Sequence, residues 1–444
     1  MLSMGIDIGT TSISMVLLDE DTGALVARET VNHDAFIDDG CPVGKTQDAE
    51  KIIGIVMEKY AALVASHGRP GCIGLTGQMH GMLYVDGDGN AASPLYTWQD
   101  GRGNLRMRDG ATYAEALRRY GAAASGYGLT THFYMKENGL VPANAASMTT
   151  ISDYLAMKLT GNRAPVIGAD MAASWGCFDL EKRVFRLEDA LLPRVVPGYG
   201  IVGETPEGVP VTVSAGDNQA SVLGSVKDLG GTVLINIGTG SQVSLGADRY
   251  YDCGGSIELR PCGGDGYILA GSGLCGGRAY AMLERFYREV SGADAPCYDR
   301  MLEQAQAFVD ERGMDAAWRV RTTFSGTRSD PGVRGGIEGI GVDNFRPGAL
   351  TAGLIAGIVG ELRDFYREMT GMTGRAATAL VGSGNGLRRN PLMRQVAEAL
   401  FGMKLQIPAH IEEAAFGAAL CALTASGRAA SIREAQKMIR YLGE

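Results

Sequence analysis

The sequence predicts an α/β protein made of two related halves, and three observations carry that prediction. At 444 residues the chain exceeds what one ordinary hydrophobic core organises, so two or three domains are expected. A strand–turn–strand motif, Ile6-Asp7-Ile8-Gly9-Thr10-Thr11-Ser12, returns as Ile235-Asn236-Ile237-Gly238-Thr239-Gly240-Ser241, and apolar alternation continues after both copies. The 64 glycines are neither periodic nor gathered in a linker; they stand singly between apolar runs, as in an α/β protein with many tight loops.

Taken in order, Ile6 and Ile8 end a first strand at the turn Gly9-Thr10-Thr11, and Ile13, Met15 and Leu17 alternate as a second. Asp19 to Gly23 supply hairpin turn residues, and "ALVARETV" reads as a third strand. Because the glycine turn runs into another strand and not into a helix, a Walker loop and a dinucleotide fingerprint are both excluded. A helix from Ala49 to Ser66 follows, then the strand and loop "CIGLTGQMHGMLYVDGDG", the loop "SPLYTWQDGRGN", and helical patterns through "TTISDYLAMKLTGN". The Pro/Gly-rich "LLPRVVPGYGIVGETPEGVPV" precedes the strand "PVTVSAG", after which "DNQASVLGS" starts a helix. The second hairpin begins near Thr232, which puts the boundary at about residue 225, with domains 1–225 and 226–444. Near the end, "ATALVGSGNGLRRNPLMRQVAEALFG" has the order strand, glycine loop, helix. Asn390 fits the N-cap and Pro391 the first helical position, and Leu392, Val396, Ala399 and Leu400 would form one buried face. "EEAAFGAALCALTASG" is a helix of small residues able to pack closely on a sheet.

Composition narrows the function. A hydrophobic share of 45% and a charged share of 20% are those of a soluble globular protein. The net charge of −9 argues against a nucleic-acid partner, which needs a basic surface, while leaving anion binding by backbone amides open. There is no run of eighteen apolar residues and no charged-then-apolar leader, so no membrane partner and a cytoplasmic location are expected. Eight scattered cysteines without a CxxC pair and five dispersed histidines predict reduced, mostly buried thiols and no zinc site.

Both hairpin turns place glycine where a bulkier side chain would hold phosphate oxygens away from backbone N–H groups. Thr10, Thr11, Thr239 and Ser241 add hydroxyl donors. One such turn alone is simply a tight hairpin; two that face each other across an inter-domain cleft would clamp a polyphosphate. Asp7, where the second copy has neutral Asn236, either caps its turn or holds a Mg²⁺ that bridges phosphates. Asp217, at a strand–helix junction, either N-caps the helix or acts as the general base that takes a proton from a sugar hydroxyl attacking a γ-phosphorus. Gln78-Met79-His80 and Trp98-Gln99-Asp100-Gly101-Arg102 offer an aromatic face, a bidentate acceptor, an imidazole and a guanidinium, the mixture that a polyhydroxylated ligand asks for. The Gly-interrupted stretch that leads to Leu354, Ile358 and Leu362 reads as part of a nucleotide-side wall, where Arg328 and Arg334 either meet phosphate or stay solvated.

The pieces "GIDIGTTS", "GLTGQMHG", "WQDGR", "SAGDNQASVLG", "INIGTGS" and "VGSGNGLRRNPLMRQVAEALFG" resemble, in order along nearly the whole chain, the FGGY carbohydrate kinases. Within that family "LYTWQDGRGN", "TTISDYLAMKLTG", "DMAASWGCFDL" and "GDNQASVLGS" look most like the sedoheptulokinases, while "GQMHG" is shared with xylulokinases. The resemblance implies duplicated actin/hexokinase-like (ribonuclease H-like) domains. It also implies an ATP-dependent kinase that uses Mg²⁺ to phosphorylate the terminal primary hydroxyl of a ketose. By motif, Asp217 matches the catalytic base and Asp7 the metal-linked acid, with Asp217 sharing the metal. Gly9, Thr10 and Thr11 match the first phosphate turn, Gly238, Thr239 and Gly240 the second, and Gly382, Ser383, Gly384 and Asn385 the adenosine-side loop. Gln78, Met79, His80, Trp98, Asp100 and Asn218 fall on the sugar side, so residues 1–225 would bind sugar and residues 226–444 nucleotide. Asp170 and Met171 depart from the more polar stretch associated with sedoheptulokinases, which leaves the sugar open between sedoheptulose, D-xylulose and another ketose. A homodimer also stays open. A nucleotide-switched binding protein of the actin/Hsp70 fold is the non-kinase alternative, one with no use for the QMHG and WQDGR loops.

Overall fold

In the computed structural model, which describes residues 1–327, 330 and 332–444, the chain falls into two units, each discontinuous in sequence. The first comprises Met1–Lys227, Arg260–Tyr267 and Glu412–Arg440; the second comprises Asp228–Leu259, Ile268–Ile411 and Tyr441–Glu444.

The first unit is organised by the strand Leu2–Ile8. It pairs antiparallel with Ser12–Asp19 and parallel with Ile73–Gly77, so that Asp7 stands opposite Ser14 on one side and Thr76 on the other. Leu25–Asn32 extends the sheet beyond Ser12–Asp19, as the meander reading requires. Strand alternation sends Met4, Ile6 and Ile8 into a core with Ile52 and Val56 of the helix Ala49–His67 and Leu155 of the helix Ile151–Thr160. The small-residue helix Glu413–Ala425 packs on this same sheet. The approach is backbone to backbone: a Cβ on Gly5 would lie 1.8 Å from the Ala415 carbonyl oxygen, which only glycine avoids. Ala215–Gly216 pairs with Thr76–Gly77 and delivers the chain to the helix Asp217–Ser225.

The second unit repeats the plan. Thr232–Ile237 pairs antiparallel with Ser241–Ala247 and parallel with Ala379–Ser383, which places Asn236 opposite Gln242 and Ser383 just as Asp7 stands between Ser14 and Thr76. The long helix Pro347–Thr373 buries Leu354, Ile358 and Leu362. The helix Pro391–Phe401 starts as expected, with the Asn390 side chain accepting from Met393 N–H and Pro391 in the first turn. Its buried face is Leu392, Met393, Val396 and Ala397, with Ala399 exposed, because the packing surface is rotated by about one residue from the predicted stripe. All eight cysteines are free thiols. Among the described residues no helix is long and apolar enough to cross a membrane.

Candidate functional site

In the first unit, sheet pairing brings the ends of Leu2–Ile8 and Ile73–Gly77 to the same edge, so the Gly9 turn and the QMHG loop leave the sheet side by side. The turn closes through Gly9 N–H on Ser12 O at 2.9 Å. A line of polar contacts then joins it to both predicted ligand loops. Gln78 Nε2 donates to Gln47 Oε1 at 3.0 Å, Gln47 Nε2 to Thr10 O at 2.7 Å, and Trp98 Nε1 to Thr10 Oγ1 at 2.9 Å. The indole is 48% exposed, which leaves its face accessible beside the turn. Thr11 is exposed and its carbonyl accepts from His33 N–H. Gln47, fully buried and the hub of this line, carries no motif of its own in "VGKTQDAE", so the sequence reading passes over it.

His80 adopts φ 72°, unusual for a side-chain-bearing residue. Its ring stacks on Tyr127 with centroids 4.5 Å apart, and Nδ1 lies 2.6 Å from Ser174 O. A carbonyl only accepts, so Nδ1 carries a proton and donates to it. Met79 is buried and packs beside Gly216, the residue before Asp217: a Cβ on Gly216 would lie 2.9 Å from its sulfur. Asp100 is buried and tied up, with Oδ2 accepting from Arg102 Nη1 at 2.5 Å and Lys45 N–H at 3.1 Å, and Oδ1 from Arg102 N–H at 3.0 Å. Arg102 also pairs with Asp39, so Asp100 organises its loop through the guanidinium.

Asp217 is the first residue of its helix and Gly216 the cap, so the N-capping reading of this aspartate is replaced. Its Oδ1 accepts from Asn218 N–H at 2.7 Å. Burial pushes its carboxyl up to about 6, against the opposing pull of the Asn218 amide and Arg260. Arg260 Nη1 donates to Asn218 Oδ1 at 2.7 Å, which orients the residue next to Asp217. Asp7 is raised further, to about 8, by burial first and then by the charges of Asp217 and Glu412. Its Oδ1 is shut from solvent without a hydrogen-bond partner. An unsatisfied buried carboxylate oxygen beside a second carboxylate suits a divalent cation, and Mg²⁺ characteristically takes one or two carboxylates and completes its shell with water and phosphate. Among the described residues no cluster of three or more His, Cys, Asp or Glu could hold a metal by itself. Glu412, which accepts from Thr30 Oγ1 at 2.9 Å, reaches this neighbourhood only through the late-sequence return of the chain to the first unit.

In the second unit Gly238, Thr239 and Asn385 line one cavity of about 850 Å³. Gly238 O and Thr239 O accept from Gly277 and Arg278 N–H, at 2.7 and 2.9 Å, which pins the turn to the start of the helix Gly277–Ser291. Tyr280 and Tyr298, stacked with centroids 5.8 Å apart, form an aromatic wall of this cavity that the sequence reading did not single out. The remaining predicted residues lie behind it. Gly382 and Ser383 are buried, and Ser383 Oγ accepts from Asn236 Nδ2 at 2.7 Å. That bond ties the neutral residue at the position equivalent to Asp7 to the neighbouring parallel strand. A Cβ on Gly276 would lie 2.3 Å from the Gly240 carbonyl oxygen, so Gly240 closes the turn against the helix start. Ser241 is buried, and neither it nor Leu354, Ile358 or Leu362 lines the cavity. Arg334 is exposed, and Arg328 lies outside the described residues.

Gly384 has φ 84° and ψ 156°, and an added Cβ would lie 2.6 Å from Ile237 O. Backbone of this kind is essentially confined to glycine, and forcing it costs about 1–3 kcal/mol before the clash is counted. Gly384→Ala is therefore expected to lower the thermal midpoint; unchanged melting would refute this account of the loop.

Comparison with known proteins divides the chain by sequence, and the C-terminal match includes residues 260–267 and 412–426 that fold with the first unit. Residues 2–224 match the model of the FGGY family of carbohydrate kinases, N-terminal domain, and residues 260–426 that of its C-terminal domain. The sedoheptulokinase of Homo sapiens is 27% identical, with 95% of this chain and 97% of that protein covered. A glycerol kinase of Rhodospirillum rubrum is 28% identical, with 96% and 91% covered. The crystal structure of xylulose kinase from Rhodospirillum rubrum, 21% identical, superposes with a TM-score of 0.84 over 100% of this chain and 93% of that one. Structural neighbours of this kind share the two-domain actin/hexokinase-like fold.

Proposed function

The chain belongs to the FGGY family of carbohydrate kinases and is an ATP-dependent sugar kinase, and from that premise we propose that it phosphorylates the terminal primary hydroxyl of a ketose, sedoheptulose to sedoheptulose 7-phosphate. Family membership sets aside the nucleotide-switched binding protein. The observation that carries the proposal is the meeting, within the first unit, of Asp217 with the QMHG loop through the Met79–Gly216 contact. Likeness to the human sedoheptulokinase over nearly the whole chain supports the seven-carbon sugar. The shared "GQMHG" loop supports D-xylulose as the second reading.

In this mechanism Trp98 offers the sugar a stacking face, and Gln78, Met79, His80 and Asn218 surround its hydroxyls, with Asp100 holding their loop through Arg102. Asp217 takes the proton of the terminal hydroxyl as its oxygen bonds to the γ-phosphorus, and ADP departs with the electrons of the broken phosphoanhydride bond. Gly238, Thr239 and Gly240, with Gly9, Thr10 and Thr11, contact phosphate, while Gly382, Ser383, Gly384 and Asn385 shape the adenosine side. Asp7 and Asp217 would hold Mg²⁺, which supplies charge neutralisation to the phosphates.

A coupled ADP-release assay over five- to seven-carbon ketoses tests the sugar: sedoheptulose is expected to have the highest kcat/KM, and a higher value for D-xylulose would overturn the assignment. The pH profile tests the base. With its carboxyl at about 6 in the free protein, Asp217 is ionised above that value and protonated below it. At Mg²⁺ concentrations high enough to keep Asp7 ionised, kcat/KM for the sugar should therefore fall about tenfold per pH unit below about pH 6. A flat profile through that range would rule out Asp217.

A further inference from the structure

The stretch "ADMAASWG", whose Asp170 and Met171 the sequence reading sets apart, forms the short helix Ala169–Ser174 with Trp175 as its C-cap. Its two ends hold different parts of the site. At the first end Asp170, buried, accepts from Gly216 N–H through Oδ2 and from Met171 N–H through Oδ1, both at 2.9 Å. Gly216 is the residue before Asp217 and the cap of its helix. At the other end Ser174 Oγ accepts from His80 N–H at 2.9 Å and donates to Met171 O at 2.7 Å, while Ser174 O takes the His80 Nδ1 contact. Trp175 Nε1 donates to Gly81 O at 3.0 Å, so the backbone on both sides of the His80 peptide is held from one place.

Each held segment needs holding. The strand that carries the chain into Asp217 has only Ala215 and Gly216 in register with its neighbour. Its flanks are secured by side chains: Asp153 Oδ1 accepts from Ser214 N–H at 2.8 Å, and Thr76 Oγ1 donates to Ala215 O at 2.9 Å. His80 stands at a φ that L-residues rarely adopt, a conformation that persists only where surroundings enforce it. Met171, Ala172 and Trp175 are fully buried, so the element between the two grips sits in a packed core.

We infer that the helix Ala169–Ser174 is a yoke that registers His80 against Asp217, with Asp170 and Ser174 as its positioning residues. The inference rests on the roles given to His80 and Asp217 above. Neither positioning residue enters the reaction; each sets where a residue of the site stands. The two grips act on different steps, because one sets the base and the other a sugar contact.

The test uses the full chain with MgATP and, separately, sedoheptulose and D-xylulose. Asp170→Ala removes both acceptor oxygens, so the grip on Gly216 is lost. It is expected to lower kcat about 10–100-fold, the scale of a small misplacement of a reacting group, with KM for ATP within about twofold. Ser174→Ala is expected to raise KM for the sugar about 5–20-fold with kcat within about threefold, and Ser174→Thr, which keeps the hydroxyl, to restore it. Amide hydrogen exchange provides a readout independent of sugar. Asp170→Ala should speed exchange about tenfold or more at Gly216 and also at His80, since the helix links them. Wild-type kcat in Asp170→Ala would overturn the yoke. So would equal losses of kcat in both variants at constant KM that track the folded fraction, or acceleration confined to Gly216. If the unaltered protein phosphorylates neither ketose, the sugar assignment fails, and linked exchange at Gly216 and His80 still decides for or against the yoke.

Discussion

Asp217→Asn is expected to leave the protein folded and to lower kcat by about 10² or more, the contribution typical of a positioned general base. The substitution is nearly isosteric, and the contact that Asp217 makes in its own helix, acceptance of Asn218 N–H by Oδ1, can be made by an amide oxygen. Removing a half-buried carboxylate whose ionisation is resisted by burial carries no stability cost of its own. What the amide cannot do is accept a proton from the attacking hydroxyl. The loss should therefore appear in kcat, with KM for the sugar little changed, because the interaction matters as the proton leaves and not on binding. A melting temperature near that of the unaltered protein, together with a single-turnover rate reduced in step with kcat, would establish the role. Undiminished turnover would end it.

Asp7→Asn is expected to abolish most of the activity and at the same time to stabilise the protein. The activity loss, about 10² or more, follows from replacing a carboxylate toward Mg²⁺ and phosphate by a neutral ligand. The stability gain follows from burial. The folded-state carboxyl is raised from 3.8 to about 8, by burial above all and then by Asp217 and Glu412. Below pH 3.8 both folded and unfolded chains hold this proton, so aspartate and asparagine should melt alike. As pH rises toward 8 the unfolded aspartate ionises freely while the folded one resists, and the native protein loses stability that the variant keeps. Above about 8 the difference levels off. Melting curves from pH 4 to 9 in a chelator should show the variant gaining steadily, and millimolar Mg²⁺ should raise the melting temperature of the native protein more than that of the variant. Parallel curves at every pH would contradict the placement of Asp7.

Much of the site is legible in the sequence because its parts are local. The strand–glycine turn–strand copies could be paired by eye, and the structure gives both the same partners, one antiparallel and one parallel. The Asn390-Pro391 helix start is read correctly because capping is a matter of adjacent residues. The neighbouring buried stripe is read correctly at Leu392 and Val396 and missed at Met393 and Ala397, because propensity and spacing do not say which side of a helix its neighbours occupy. Asp217 carries two local readings of equal form, and only the backbone geometry, with Gly216 in the cap position, separates them. Tyr280, Tyr298 and Gln47 lie in unremarkable sequence and acquire a role from what long-range packing sets beside them.

The chain by itself determined its family, its twofold plan, and which short segments carry chemistry, since these depend on residue type and spacing over a few positions. Tertiary structure alone decided that the helix Glu413–Ala425 belongs with the first unit, where the glycine at position 5 admits its backbone. It alone also brought Glu412 near Asp7 and put Asp170 and Ser174 at opposite ends of one small helix between Gly216 and His80. The physical reason is one of range. Turn and cap preferences act between neighbours along the chain, whereas burial, carboxyl ionisation and hydrogen bonds across hundreds of residues are set only by what the folded backbone brings together.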